Sequence, residues 1–330
     1  AVTGVQTCAL PILTYTAGQL IQAADYNGFV SSNGANVNAI WSTGTGDRGY
    51  GQSALSTVST SGTVTATQWA SLVNTLASMG NQQATSIVPR TAPTTGTLIS
   101  ILPTINTDIT NLTTLRNNAV AVGAQFTGWS GTNSKTAATS GATWTITFTN
   151  TVTWASADAA RYFFNAGGLI KIDVSKTATG ALGDPEWNDL ANTLCGDIYI
   201  SGAAASHTIA GTAYTGVTKI GGAGLPTTLS TTLGWYALTT VDQIIYKQFA
   251  DTAPYTNNYI QHSARTAGSG TQLVITTVWS ASDGDPISGG TAPTGATPGT
   301  APCTIVTYFP PSTTYLSNSW GTPTVAATTV

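Results

Sequence analysis

The chain has 330 residues, 41% of them apolar and nine of them Trp, which excludes simple disorder and is long enough for about two domains with real cores. Charged residues make up only 7%, against an ordinary share of about 25%, and the net charge is −3, so no basic field draws the chain to nucleic acid or an anionic membrane. No run of about 18 apolar residues occurs, so no segment reads as a bilayer-spanning helix.

Taken in order, Ala1 to Ile12 resembles the translation of a sequencing adapter and is left out of the fold reasoning. Cys195 and Cys303 are then the expected native cysteines, with one disulfide and two thiols equally open and no companion Cys or His at zinc spacing. Residues 13–122 read as a helical region that opens with an internal repeat. Ile21 to Val30, IQAADYNGFV, aligns without gaps on Val64 to Val73, VTATQWASLV, 43 residues later. Each copy marks a helix start. In the second, Thr65 and Gln68 form a capping box while Val64 and Trp69 form a hydrophobic staple; the first keeps the staple as Ile21 with Tyr26. Between the copies lies Trp41 to Gln52, WSTGTGDRGYGQ. Its spaced glycines follow no strand and precede no Gly-Lys-Ser/Thr, so an ordered turn is predicted there and not a phosphate loop. After the punctuation of Pro89 to Thr95, Leu98, Leu102, Ile105, Ile109, Leu112, Leu115, Ala119 and Val122 recur at spacings of three and four. That stripe predicts one helix of about six turns, packed within the subunit or against copies of itself.

Residues 123–330 change texture to short alternating runs divided by Gly, Ser, Asn and Pro. Trp144, Ile146 and Phe148 alternate with Thr, and Asp197–Ile200, Trp235–Leu238, Gln243–Phe249, Asn258–Ala264, Leu273–Trp279 and Thr304–Phe309 are further candidate strands. The fold class expected is α+β, a helical N-terminal region followed by a β-sandwich-like domain with short inserted helices. One insert is Asp184–Leu194, with Asp184 as cap, Pro185 at the first helical position and Gly196 just past the end. The other, Ser156–Asn165, runs through Gly167 and Gly168 directly into an alternating strand from Leu169. A helix exit that reverses into a strand needs backbone closed to β-branched residues, so these glycines are the predicted structural hinge. Tyr162, Phe163 and Phe164 are assigned to the core, as are Trp69, Trp144 and Trp187. Trp129, Trp154 and Trp320 stand among Gly, Ser, Thr or Asn in expected loops, and are the candidate exposed contacts between subunits.

Residues suited to catalysis are sparse. His207 and His262 lack partners at triad or metal spacing, and one Glu with twelve scattered Asp offers no obvious carboxylate pair for glycoside hydrolysis. Glu186 reads as a first-turn helix residue, Asp283-Gly-Asp285 as a tight turn and not a calcium loop, and Gly289–Pro302 as a low-complexity loop or inter-subunit arm. No catalytic, cofactor-binding or metal-ligating residue is nominated.

The paired helix starts, Tyr50-Gly-Gln52, the run RYFFNAGG at Arg161–Gly168 and GWYALT at Gly234–Thr239 together resemble a family of virion structural proteins of tailed phages, described as tail or fibre components. One departure is Gln22, where Thr is expected as the helix cap. The resemblance implies a self-assembling homo-oligomer or filament subunit of a bacteriophage particle, with copies of itself and other virion proteins as partners, located in the virion. It implies no enzyme and no cofactor. The rival expectation is a carbohydrate-binding or host-adhesion module with a cell-surface glycan as partner, because Trp and Tyr faces stack on sugars.

Overall fold

A computed structural model describes residues 22–32, 34–96, 104–126, 133–134, 144–176, 184–253, 255–281 and 303–329. The chain divides into two units, Ala1–Arg116 and Asn117–Val330. The boundary falls before the expected 122/123 because Ala119, Val122 and Phe126 make isolated bridges to Ile209, Pro311 and Tyr308 of the second unit.

In the first unit α1 (Ala23–Asn27) continues as a wider π-helical turn, Gly28–Ser32, and α2 (Val37–Trp41), α3 (Ala66–Gln82) and α4 (Ile105–Thr114) follow. The capping box of α3 forms as read: Thr65 Oγ1 accepts from Gln68 N, and Gln68 Oε1 accepts from Thr65 N at 2.8 Å. At the first copy the Gln22 N–H donates to the Asp25 carboxylate at 2.9 Å. The two copies meet each other. Tyr26 packs edge-on against Trp69 with ring centroids 5.3 Å apart and Phe29 lies 6.2 Å from the same indole, all three fully buried. The Tyr26 and Trp69 halves of the two staples therefore meet in the core of this unit, while Ile21 lies outside the described residues and Val64 is half-buried.

Trp41 to Gln52 is an ordered turn. Tyr50, buried beneath it, donates to the Arg116 carbonyl and accepts from Gln83 Nε2, both at 2.8 Å, while Arg116 pairs with Asp47. Gly49 has φ +98° and a Cβ there would lie 2.1 Å from the Thr43 carbonyl oxygen, so the turn has room only for glycine. The next segment is strapped down by two asparagines. Asn27 exchanges hydrogen bonds with the Val58 backbone and Asn38 with the Leu55 backbone, each through both amide atoms.

The expected six-turn helix is shorter. Leu98 and Leu102 lie outside the described residues, α4 ends at Thr114, and Ala119 and Val122 have left the helix. The Thr110, Thr113 and Thr114 hydroxyls bond back to carbonyls four residues earlier, a competition with the backbone ladder that weakens a helix, and Asn117 and Asn118 follow.

Among the described residues the second unit has two antiparallel sheets, a small hairpin and two helices. Its elements are β1 (Asn133–Ser134), β2 (Trp144–Thr153), α5 (Ala157–Asn165), β3 (Leu169–Ser175), α6 (Asp184–Asp189, continued by a π-helical turn to Cys195), β4 (Asp197–Ile200), β5 (His207–Ile209), β6 (Thr212–Tyr214), β7 (Val217–Ile220), β8 (Thr228–Leu229), β9 (Gln243–Phe249), β10 (Tyr259–Ala267), β11 (Gln272–Ala281), β12 (Cys303–Phe309) and β13 (Thr324–Thr329). One sheet has the order β1-β12-β3-β4-β7, the other β13-β2-β11-β10-β9-β8, and β5 pairs with β6. This is the α+β, β-sandwich-like class expected. Trp279 Nε1 donates to Thr304 Oγ1 across the interior, and Trp187 of α6 stacks on Trp279 with centroids 5.8 Å apart. The side chain of Trp144 lies outside the described residues. Trp235–Ala237, expected within a strand, is a short 3₁₀ turn, held by Trp235 N donating to the Ser201 carbonyl at 2.9 Å.

Cys195 is a free buried thiol pushed up to about 12 by burial, which makes it inert; the side chain of Cys303 lies outside the described residues. His262 is structural, with Nδ1 2.9 Å from Thr277 Oγ1 and the ring stacked on Tyr246. Burial lowers its pKa from 6.5 to about 3. Between those values the unfolded chain binds a proton that the folded chain refuses, so stability is complete above the upper value and falls as pH drops towards the lower. His262→Gln will flatten the urea-denaturation stability of the second unit between pH 6.5 and 3, removing a slope that approaches about 1.4 kcal/mol per pH unit. An unchanged slope in the variant would assign the acid lability to other groups.

Candidate functional site

In a chain so poor in charge, clustered charges are informative, and one cluster stands on the outer face of the five-stranded sheet. β3 alternates so that Ile170, Ile172 and Val174 point inward and Lys171 and Asp173 point outward. Lys171 pairs in register with Tyr199 of β4 and with Thr307 of β12, which places all three on that face. Its ammonium lies 2.9 Å from Asp197 and 3.7 Å from Asp173. The Lys171 side chain is 12% exposed, that of Asp173 44% and that of Asp197 32%, so the amine is shielded while both carboxylates reach solvent. Tyr199 packs edge-on to Tyr214 at 5.7 Å and tilted to Phe309 at 6.2 Å, beside a buried patch of Ala119, Leu169 and Ile209.

Burial alone would lower the pKa of Lys171, but its hydrogen bond to Asp197 and the charges of Asp173 and Asp197 outweigh this and raise it. Burial raises Asp173 against the pull of Lys171, with Asp197 adding to the rise, and burial and Asp197 together raise the Tyr199 phenol. A lysine held protonated in this way is neither nucleophile nor base. The half-exposed carboxylate oxygens can accept hydrogen bonds from hydroxyl groups, with a tyrosine ring beside them. The arrangement suits holding a polyhydroxyl ligand better than breaking a bond in one.

The residues nominated from sequence fall elsewhere. Trp154 is 2% exposed and Trp320 1%, so neither is a surface contact, and the expectation for both is overturned. Trp154 sits between Phe163, Phe164 and Trp235, each with its ring 5.4 or 5.5 Å away. Trp129, Asp283, Asp285 and Gly289–Pro302 lie outside the described residues. Gly167 has φ +96° as a hinge requires, whereas Gly168 is constrained by contact: a Cβ there would lie 2.5 Å from the Phe163 ring. His207 Nδ1 lies 2.8 Å from the Ala205 carbonyl and burial lowers its pKa, consistent with a structural role. The Glu186 carboxyl is buried on α6, and burial raises its pKa.

The alternation expected from Leu169 onward puts Lys171 and Asp173 on one face, but nothing in it points to Asp197 or Tyr199. Their partnership depends on the pairing of β3 with β4, separated by α6. Nor does it point to Phe126, 49% exposed and packed on Tyr308 at 5.3 Å. Among the described residues no group of His, Cys, Asp and Glu is placed to hold a metal, and no helix is long and apolar enough to cross a membrane. No family model matches the chain, and neither a curated protein nor a solved structure matches it.

Proposed function

We propose that the chain is a self-associating structural subunit of a phage particle, a tail or fibre component, acting through surfaces and not through catalysis. One observation carries this reading beyond the sequence resemblance. The outward positions of β2 are Thr145, Thr147, Thr149, Thr151 and Thr153, while the alternate positions Ile146, Phe148 and Val152 are buried. This row of threonines carries no charge, the charged positions of the same face, Arg265 of β10 and Lys247 of β9, standing further across the sheet. It repels its own copies weakly, and repeated copies build closed or helical symmetry from one such interface. Light scattering of the purified chain is expected to give the mass of a homo-oligomer or polymer, with regular particles in micrographs; a monodisperse monomer at high concentration would overturn the proposal.

A glycan-binding role is the second reading, favoured by the Asp173, Asp197 and Tyr199 face. It predicts a reproducible glycan-array signal that Asp197→Asn abolishes while the mass in solution stays the same. The first reading predicts that the same substitution leaves a flat array flat.

A further inference from the structure

Residues 53–60 are held to the first unit almost entirely by side chains. Backbone-to-backbone hydrogen bonds stop at Gln52 N, which donates to the Trp41 carbonyl at 3.0 Å, and the next one among the described residues is the local turn from Gly62 N to the Ser59 carbonyl. Between them the main chain is gripped by the two short helices. Asn27, at the end of α1, donates through Nδ2 to the Val58 carbonyl at 2.7 Å and accepts from Val58 N at 2.8 Å. Asn38 of α2 does the same to Leu55, both bonds at 2.9 Å, and Trp41 Nε1, at the end of α2, donates to the Ser53 carbonyl at 3.0 Å. Each amide thus engages the N–H and C=O of a single residue, as an antiparallel strand partner does in a hydrogen-bonded pair. None of the five bonds reads a side chain of the segment. Of the eight residues only Leu55 and Val58 are half-buried, and the other six are exposed. The helix-start unit itself does not call for this grip, since the residue aligned with Asn27 in the second copy is Ala70.

We propose that Asn27, Asn38 and Trp41 form a docking site for an extended polypeptide, and that residues 53–60 are its resident ligand, a strap that keeps the site filled. The strap defines the chemistry of the occupant: an extended, uncharged segment with aliphatic residues three apart, recognised through its main chain. Backbone bonds then supply the affinity and the two aliphatic side chains the specificity. The same features make the strap releasable. It buries little apolar surface, has no ladder and leaves its side chains in solvent, the marks of a segment that opens at lower cost than global unfolding. A segment tethered at both ends competes at an effective concentration of the order of millimolar, so an incoming peptide binds only in proportion to the open fraction. The site lies wholly in the first unit and does not depend on self-association.

Leu55→Pro with Val58→Pro deletes the two N–H donors that the strap offers and leaves Asn27, Asn38 and Trp41 in place. The probe is a fluorescein-labelled peptide with the sequence of residues 53–60, followed by fluorescence anisotropy against the full chain. The double-proline variant is expected to bind it at least about tenfold more tightly than the parent does. Adding Asn27→Ala and Asn38→Ala to that variant should abolish binding, and a peptide N-methylated at its Leu and Val nitrogens should not bind. Native-state hydrogen exchange of the parent needs no variant: the Leu55 and Val58 amides are expected to exchange at least about tenfold faster than those in the middle of α3. A double-proline variant that keeps the parental circular dichroism and binds no peptide would overturn the proposal, as would binding that survives the loss of both asparagines. So would strap amides that exchange only with global unfolding, or a double-proline variant that cannot fold, because the segment would then be integral to the unit and not a releasable strap.

Discussion

Asp108→Ala or Arg90→Met will each destabilise the first unit by about 3–5 kcal/mol, the cost of leaving a buried charge without its partner. The two side chains are each 5% exposed and meet at 2.5 Å. They also fasten the segment before α4, since the carboxylate accepts from Val88 N and the guanidinium donates to the Val88 carbonyl and to Thr104 Oγ1. Either single substitution leaves these neighbours facing an unmatched ion. Replacing both, as Arg90→Met with Asp108→Leu, removes the charges together and should recover most of the loss, because a buried ion pair is worth little more than apolar groups of similar volume. Urea denaturation followed by hydrogen exchange of the α3 and α4 amides measures all three. Single variants within about 1 kcal/mol of the parent would mean that water reaches the pair and that the strap before α4 is held by something else.

The features legible in the sequence are those settled within a few residues. The Thr65 and Gln68 box, the Ser156 cap of α5, whose Oγ accepts from Ala159 N at 3.0 Å, and the alternation of β3, β4 and β9 all needed only local chemistry. The length of α4 was not legible, because apolar spacing takes no account of threonine hydroxyls that compete for the backbone. GWYALT illustrates a second limit. A short apolar run does not distinguish strand from turn, and here the decision lies with Ser201 and Gly202, whose carbonyls accept from Trp235 N and Tyr236 N more than thirty residues away in sequence.

The misplacement of Trp154 is more instructive, because the signal was present. Neighbouring Thr153 and Ser156 suggested a loop, yet Trp154 is in phase with Ile146, Phe148 and Val152, and continuing that alternation by one step carries it inward. Period outranks the polarity of flanking residues. Trp320 offered no such guide, since the segment between β12 and β13 has no regular period to extend. With both indoles inside, the second unit presents sheet faces to a partner, and Asp197 and Tyr199 lie on one of them. These follow from strand order, and strand order is a long-range property that no local pattern contains.

Valine at Gly167 and at Gly168 will each cost the second unit about 3 kcal/mol or more, by mechanisms that one further substitution separates. Both residues end α5, with Gly168 N donating to the Phe163 carbonyl at 2.8 Å and Gly167 N to the Phe164 carbonyl at 3.2 Å. At Gly167 the backbone itself objects: φ is +96°, where a β-branched residue is strained, and a Cβ would lie 2.3 Å from the Ala119 Cβ. At Gly168 the backbone is ordinary and the objection comes from Phe163, whose ring atoms would lie 2.5 to 2.7 Å from the new Cβ. That ring cannot retreat freely, because Phe164 stands 5.2 Å away, Trp154 5.4 Å and Tyr308 6.2 Å. Phe163→Leu makes space, so it should relieve part of the cost of Gly168→Val and none of the cost of Gly167→Val, a coupling readable in a double-mutant cycle by thermal or urea unfolding. Two valine variants that melt like the parent would refute the hinge. A Phe163→Leu background that relieves both equally, or neither, would refute the division of labour between the two glycines.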